Sequence, residues 1–332
     1  MDCRRVRTAG VNGSPELNER VALVLDVDTG TDDALAIAYA VSSPQIDLVA
    51  VTTVAGNVGV EKTTANTFTV LDWLGRGDVP VHRGASRPLV RPHRDAVYFH
   101  DEDGLGGAQL PPSTRSIGWD RGPAALIRLA RQQPGMLTLV TLGPLTNLAI
   151  ALNVEPALPE LLKSVVVMGG AFTVPGNTTP AAEFNVLVDP EAAEQVFSAP
   201  FPSITAVGLD VTERVALTRD DWDEVNSGDA LPPSASLLRE VGRFAFSELG
   251  RDRFSLHDPL AVAVASDPTL VEVHELTIAV DAVEPERGRT RIAGPGTVRV
   301  AVEVDAQRAL EEFRRTVGLP TSRHREMRIE VR

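Results

Sequence analysis

Cysteine, basic charge and long apolar runs are all scarce in this chain of 332 residues. A single cysteine, Cys3, excludes an intramolecular disulfide and predicts a reducing, cytoplasmic setting. The formal net charge of −13 argues against a nucleic-acid partner, because phosphate binding needs a basic face. No apolar run is long enough to cross a bilayer, and the N-terminal stretch lacks the apolar core of a signal peptide.

Glycine-rich phosphate loops are also missing. No G-x-G-x-x-G follows the first apolar run, and no G-x-x-x-x-G-K occurs anywhere in the chain. Both patterns bring backbone N–H groups to a phosphate, so their absence argues against a nucleotide-binding loop of either kind.

Short apolar runs alternate with helical patterns over the first two thirds of the chain. This alternation predicts an α/β fold with a mainly parallel, mixed central sheet, a Rossmann-like core and helices on both faces. The stretch 270–304 alternates like antiparallel strands, and 84–120 has the composition of a long loop. We expect a disordered leader over 1–20, one catalytic domain over 21–320 and a C-terminal tail over 321–332.

Four carboxylates follow the first predicted strand, Val21 to Leu25, within eight residues: Asp26, Asp28, Asp32 and Asp33. Two like charges about 5 Å apart repel by roughly 3 kcal/mol at an effective dielectric constant near 20. One or two of these acids could simply cap the following helix, with Asp32 or Asp33 near its N-cap. Four of them after a buried strand indicate a hard divalent cation, although an EF-hand is excluded because its last ligand position falls on Ile37.

Further polar residues follow later strands, where ligands of open parallel sheets bind. Asn57 follows the second strand, and Leu142-Gly143 and Met168-Gly169-Gly170 end two others. His257-Asp258-Pro259 begins a helix, where Asp258 could be a plain N-cap. Glu183 and Asn185 alternate with apolar neighbours and either point into a cleft together or lie on the surface. His100 is either a site residue or a solvated loop residue.

Six of these segments, in order and in spacing, resemble the motifs of the nucleoside hydrolases, the inosine–uridine-preferring N-ribohydrolases. The similarity extends from about residue 21 to 318. The segments are VLDVDTGTDDA from Val24, VAGN from Val54, LGPLTN from Leu142, MGG from Met168, AEFN from Ala182 and HDP from His257.

This resemblance implies calcium-dependent hydrolysis of the N-glycosidic bond of ribonucleosides, giving ribose and a free base. It implies a Ca²⁺ site formed by Asp28, Asp33, Asp258 and the main-chain carbonyl of Leu142, with the ion holding the attacking water. Asp28 would take the proton of that water, and His257 or His100 would protonate the leaving base. The residues implied to bind or support the substrate are Asp26, Asp32, Asn57, Met168, Asn177, Glu183 and Asn185. It also implies a homodimer or homotetramer in nucleoside salvage.

One departure from the family pattern affects the base. Phe244 to Leu256 contains no tyrosine, whereas several members place tyrosines just before the His-Asp pair to contact or protonate the base. Two other functions stay open. The first is a calcium-bound nucleoside- or ribose-binding protein without turnover. The second is a haloacid-dehalogenase-type phosphatase, because Asp26-x-Asp28 resembles its nucleophile motif; Lys163 would then be its lysine, but no acidic pair follows the next strand.

Overall fold

The structure is a computed structural model, and it describes residues 20–117, 121–228 and 230–319. The predicted disordered leader over 1–20, apart from Arg20, and the predicted C-terminal tail over 321–332 lie outside these residues. The extent of the single domain stays a prediction. Within the described ranges no helix combines the length and the apolar character that crossing a membrane requires.

A nine-stranded mixed sheet forms the centre of the fold, and a two-stranded sheet accompanies it. The strands in chain order are β1 (Val21–Val27), β2 (Ile46–Thr53), β3 (Val81–Arg83), β4 (Thr138–Thr141), β5 (Ser164–Met168), β6 (Ile204–Val207), β7 (Ala216–Thr218), β8 (Arg253–Ser255), β9 (Val271–Val280), β10 (Thr290–Pro295) and β11 (Val298–Val304). Strands β7 and β8 make the small antiparallel sheet.

The order across the large sheet is β10-β9-β11-β6-β5-β4-β1-β2-β3. All neighbours from β11 to β3 are parallel, and β9 pairs antiparallel with both β10 and β11. The predicted mainly parallel, mixed sheet is therefore confirmed. Strand β1 lies between β4 and β2, so the carboxyl end of the first strand is surrounded by the ends of its neighbours.

Helices cover both faces of the sheet, as predicted. They are α1 (Thr31–Ser42), α2 (Val60–Trp73), α3 (Val97–His100), α4 (Gly122–Gln132), α5 (Thr146–Val154), α6 (Leu158–Leu161), α7 (Phe184–Val188), α8 (Pro190–Phe197), α9 (Leu209–Thr212), α10 (Arg219–Asn226), α11 (Pro233–Arg243), α12 (His257–Ser266) and α13 (Ala306–Val317). A π-helix (Phe244–Glu248) continues α11, and a 3₁₀ turn (Pro268–Leu270) follows α12. One core layer lies between the sheet and α1, α11, α12 and α13, and the other packs under α4, α5 and α8.

Asp32 and Asp33 lie near the N-cap of α1, as expected, but neither is the N-cap residue itself. The N-cap of α1 is Gly30, and Asp33 is the third helical residue; its carboxylate accepts a hydrogen bond from the Gly30 N–H at 2.8 Å. Asp258 is likewise not an N-cap, because α12 begins at His257. In both cases the acid lies inside the first turn, where the helix dipole favours negative charge. The stretch 84–117, the described part of the expected loop, is mostly irregular, but α3 interrupts it.

Candidate active site

A cavity of about 250 Å³ opens at the carboxyl ends of the central parallel strands and the N-terminus of α12. This is the edge at which ligands of open α/β sheets bind. It brings together predicted site residues from seven separate parts of the sequence. The predicted site residues that line it are Asp32, Asn57, His100, Leu142, Met168, Asn177, Glu183, Asn185, His257 and Asp258.

Asp28 lies next to this cavity and is held in place by backbone contacts. Its Oδ2 accepts a hydrogen bond from the Asn57 N–H at 2.7 Å, and its own N–H donates to Asp33 Oδ1 at 3.1 Å. Its Oδ1 is buried and has no hydrogen-bond partner among the residues that the structure describes. A buried, unpaired carboxylate oxygen is costly, so this atom points to a ligand or a proton that satisfies it.

Gly56 makes this position of Asp28 possible. A Cβ atom at residue 56 would lie 2.0 Å from Asp28 Oδ2, so even the smallest side chain would displace the carboxylate. We expect Gly56→Ala to lower kcat by roughly 10²-fold, because a displacement of about 1 Å at a reacting group costs that much. Gly59→Ala is the matched control, since a Cβ there meets nothing within 4 Å and the backbone is extended. Equal activity of the two variants, measured with the same nucleoside, would contradict this reading of the site.

Three further carboxylates meet beside Asp28. One oxygen from each of Asp32, Asp33 and Asp258 lies within 4.8 Å of the others. Burial is the main reason why the pKa values of these acids rise, followed for Asp32 and Asp258 by the repulsion of neighbouring charges. The pKa of Asp32 rises to about 8, and those of Asp28 and Asp258 rise well above the usual range. Without compensation, the cluster therefore holds protons near neutral pH.

The chemistry of this cluster fits a hard divalent cation. All the donors are carboxylate oxygens, and Asp32 Oδ1, like Asp28 Oδ1, is buried without a partner among the described residues. The predicted fourth ligand, the Leu142 carbonyl, accepts a hydrogen bond from Asn185 Nδ2 at 2.7 Å. A carbonyl oxygen has a second lone pair, so this hydrogen bond is compatible with a role as a ligand. This converging cluster contains Asp32, which is predicted to bind the substrate, and it does not contain Asp28, which is predicted to be a ligand.

Polar side chains on another wall of the cavity are fixed by their own hydrogen bonds. Glu183 is the N-cap of α7, and its carboxylate accepts from the N–H groups of Asn185 at 2.8 Å and Gly170 at 3.1 Å. Asn177 Oδ1 accepts from the Phe184 N–H at 3.0 Å. Glu183 and Asn185 are both buried and line the cavity, so the alternative that they lie on the surface is wrong.

The two predicted histidines reach the cavity, but burial disfavours their charged forms. Burial lowers the pKa of His257 to about 4, and its Nδ1 lies 2.8 Å from Thr212 Oγ1. Burial also lowers the pKa of His100 to about 3, with smaller contributions from the charges of His257 and Arg251. His100 Nδ1 accepts a hydrogen bond from the Thr31 N–H at 3.1 Å. Both imidazoles are therefore neutral near pH 7, the form that is the weaker acid.

Asp26 is placed behind the site rather than in it. It is fully buried, and Thr52 Oγ1 at 2.5 Å and Asn147 Nδ2 at 2.7 Å both donate to its Oδ1. Burial is the largest cause that raises its pKa, to about 7. Asn147 also bridges to the carbonyl of Thr53 at 2.9 Å, so this network ties β1 to β2 and to the start of α5. Asp26 supports the strand ends and does not line the cavity.

Sequence reasoning missed several residues that line the cavity. They are Tyr98, Phe99, Arg251, Arg253 and Ser255. They come from α3 and from the segment around β8, which are about 150 residues apart in the chain. No local pattern marks either segment, and only the aromatic pair in the 84–120 loop could have served as a signal.

Fold and site together define an α/β protein with a cluster of buried acids at the sheet edge where small ligands bind. The model of the family described as "Inosine-uridine preferring nucleoside hydrolase" matches residues 23–311. The chain therefore belongs to this family of enzymes, and the resemblance seen in its motifs is confirmed.

Named relatives agree with the family assignment. The inosine-uridine preferring nucleoside hydrolase of Leishmania major is 38% identical, over 78% of this chain and 83% of the relative. Probable uridine nucleosidase 2 of Arabidopsis thaliana is 35% identical, over 87% and 95%. Among solved structures, a plant nucleoside hydrolase has a TM-score of 0.84 at 32% identity, covering 90% of this chain and 99% of that one. A purine-preferring ribonucleoside hydrolase from Gardnerella vaginalis has a TM-score of 0.82 at 35% identity, with 90% and 98% covered.

Proposed function

We propose that the chain is a calcium-dependent ribonucleoside N-ribohydrolase in which Asp28 activates the attacking water. The observation that carries this proposal is the buried Oδ1 of Asp28, which has no hydrogen-bond partner among the described residues and lies beside three converging carboxylates. Two of these, Asp32 and Asp258, line the cavity of about 250 Å³. Calcium suits a set of oxygen donors that supplies several carboxylates and one carbonyl. Family membership gives the reaction class, and the positions of these residues in the site support the roles that we propose for them.

Asp28, Asp33 and Asp258 would hold the ion together with the Leu142 carbonyl, and Asp32 stands close enough to assist. When bound, calcium would offset the clustered negative charge and act as a Lewis acid toward the attacking water. With that charge offset, Asp28 is ionised near neutral pH and can accept a proton. This explains why several acids can be buried together without being protonated in the working enzyme.

The reaction itself needs one bond to form and one to break. The water oxygen attacks C1′ of the ribose while the C1′–N bond breaks, and its electron pair leaves with the base. The water proton passes to Asp28. The sugar develops positive charge in the transition state, which nearby carboxylates stabilise. Asp32, Asn57, Asn177, Glu183 and Asn185 line the part of the cavity where ribose hydroxyls would be bound, with Met168 beside them.

Release of reducing sugar from inosine and uridine tests this function directly. We expect free ribose and free base to accumulate in equal amounts, with a panel of nucleosides ranking the bases by kcat/KM. Binding of either nucleoside without release of ribose would instead favour the non-catalytic binding protein. The phosphatase alternative fails on geometry, because Lys163 lies at the amino-terminal end of β5, opposite to the acids.

Asn185→Ala is expected to lower kcat/KM by about 10- to 100-fold, since it removes the hydrogen bonds that Nδ2 donates to the Leu142 carbonyl at 2.7 Å and the Met168 carbonyl at 3.3 Å within a charged site, and so loosens the Leu142 carbonyl. The loss should shrink with a deoxyribonucleoside that lacks the hydroxyl bound by Asn185. Asn153→Ala is the control, because Asn153 is exposed and pairs with Gln195 on the surface. A loss of the same size on ribo- and deoxyribonucleosides alike would show that Asn185 does not bind a ribose hydroxyl.

A further inference from the structure

The lining of the cavity includes aromatic and positively charged groups that contact one another. Phe99 is one of them, and its ring centre lies 5.0 Å from that of His100. The guanidinium carbon of Arg251 lies 4.2 Å from the centre of the Phe99 ring, within the range of a cation–π contact. Arg253, two residues further on, also lines the cavity. The contact with the Phe99 ring therefore fixes the position of the Arg251 guanidinium, although this side chain is exposed.

Arg251 keeps its hydrogen-bonding groups free. Among the described residues, no carboxylate forms an ion pair with it, and its side chain donates no hydrogen bond. Stacking uses the flat face of a guanidinium and leaves the N–H edge available. Arginine has donors only and stays protonated, so this edge fits a group that carries or develops negative charge. A free positive charge in a cavity of a chain with net charge −13 therefore points to an electron-rich ligand.

We propose that Arg251 contacts the departing base and stabilises the negative charge that it acquires. This inference rests on the proposed function, in which the acids and amides hold the ribose and the remaining part of the lining is left to contact the base. When the C1′–N bond breaks, its electron pair moves onto the base, and the guanidinium donates a hydrogen bond to the resulting anion. The base takes up a proton from solvent after release, and Asp28 returns its proton to solvent.

This assignment also supplies what the segment Phe244 to Leu256 lacks. With no tyrosine there to contact the base, the guanidinium of the same segment reaches the cavity through its contact with Phe99. The contact joins two parts of the chain, so the position of Arg251 depends on α3 being in place. A guanidinium cannot act as an acid near neutral pH, so its contribution is charge and hydrogen bonding rather than proton donation.

The test compares two leaving groups in Arg251→Met, which keeps an apolar stem to pack on Phe99. Inosine needs its base stabilised, whereas p-nitrophenyl riboside releases an anion that is stable by itself. We expect kcat/KM for inosine to fall by about 10- to 100-fold, the range for a lost hydrogen bond from a charged group, and for the nitrophenyl substrate to fall by less than about threefold. Arg251→Lys, which retains the charge, should recover part of the loss on inosine.

Arg243→Met is the control for a purely structural effect. Arg243 ties the same two parts of the chain, donating to the Gly107 carbonyl at 3.0 Å and pairing with Glu248 at 2.9 Å, but it does not line the cavity. Its variant should not separate the two substrates. Equal losses on both substrates in Arg251→Met, or the same selective loss in Arg243→Met, would overturn the assignment. If the wild-type protein released no ribose from inosine, the proposed function itself would fail instead.

Discussion

Asp28→Asn is expected to lower kcat by at least about 10², the contribution of general-base catalysis alone. The substitution keeps the shape of the side chain and one carbonyl oxygen, but it removes the proton acceptor. The Asn57 N–H that now donates to Asp28 Oδ2 can donate to the amide oxygen instead, so the backbone around residue 57 should stay in place. The loss should therefore appear in kcat rather than in the free energy of unfolding.

Two measurements separate this effect from a loss of metal. The calcium content of Asp28→Asn shows whether the ion is still bound, and thermal unfolding shows whether the fold is intact. Asp78→Asn is the matched control, because Asp78 is exposed and pairs with Arg76 at 2.9 Å on the surface. Near-normal kcat in Asp28→Asn with calcium bound would mean that another group takes the proton of the water.

The sequence predicted the sheet and the acid cluster because both depend on local patterns. A continuous apolar run such as Val21 to Leu25 indicates a strand buried on both faces, and such strands occur in parallel sheets. Parallel strands align their carboxyl ends, so polar residues that follow separate strands meet in space. The same reasoning correctly brought Asn57, Leu142 and Met168 to one edge, although they lie far apart in the chain.

Other features depend on contacts that no local pattern records. The N-terminus of α1 is fixed by the Asp33 carboxylate, which accepts hydrogen bonds from the N–H groups of Gly30 and Asp28. The cation–π pair of Phe99 and Arg251 joins segments about 150 residues apart. An arginine or a phenylalanine in an irregular segment does not by itself indicate such a contact.

The histidines show a different limit of the sequence. Composition identifies His257 and His100 as groups that titrate near neutral pH. Burial decides their actual charge, and it lowers both pKa values far below the ordinary one near 6.5. Protonation of the leaving base by either histidine therefore stays a prediction that this environment does not favour. A cation on the same side of the cavity that is always charged offers a simpler means of stabilising the base.

Removal of the metal is expected to abolish activity, and added Ca²⁺ should restore it. The physical reason lies in the acids themselves, because without a compensating charge Asp28 and its neighbours take up protons and cannot accept one from water. A stringent chelator followed by titration with Ca²⁺ and Mg²⁺ measures both the loss and the selectivity. Full activity in a preparation shown to be free of metal would rule out the mechanism.

The chelated protein should also respond to pH in a direction set by the same acids. The folded-state pKa values of Asp26, about 7, and Asp32, about 8, lie above the ordinary aspartate value of 3.8. The folded state then binds more protons than the unfolded state between about pH 4 and pH 8, so stability falls as the pH rises through this window.

Bound Ca²⁺ favours the ionised acids, and at about 100 times its Kd it adds roughly 2.7 kcal/mol to the free energy of unfolding. We therefore expect the Tm of the chelated protein to drop from pH 5 to pH 8 and the increase in Tm on adding Ca²⁺ to be greatest at pH 8. A Tm difference between the calcium-loaded and chelated protein that stayed constant over this range would show that these carboxylates do not bind the ion.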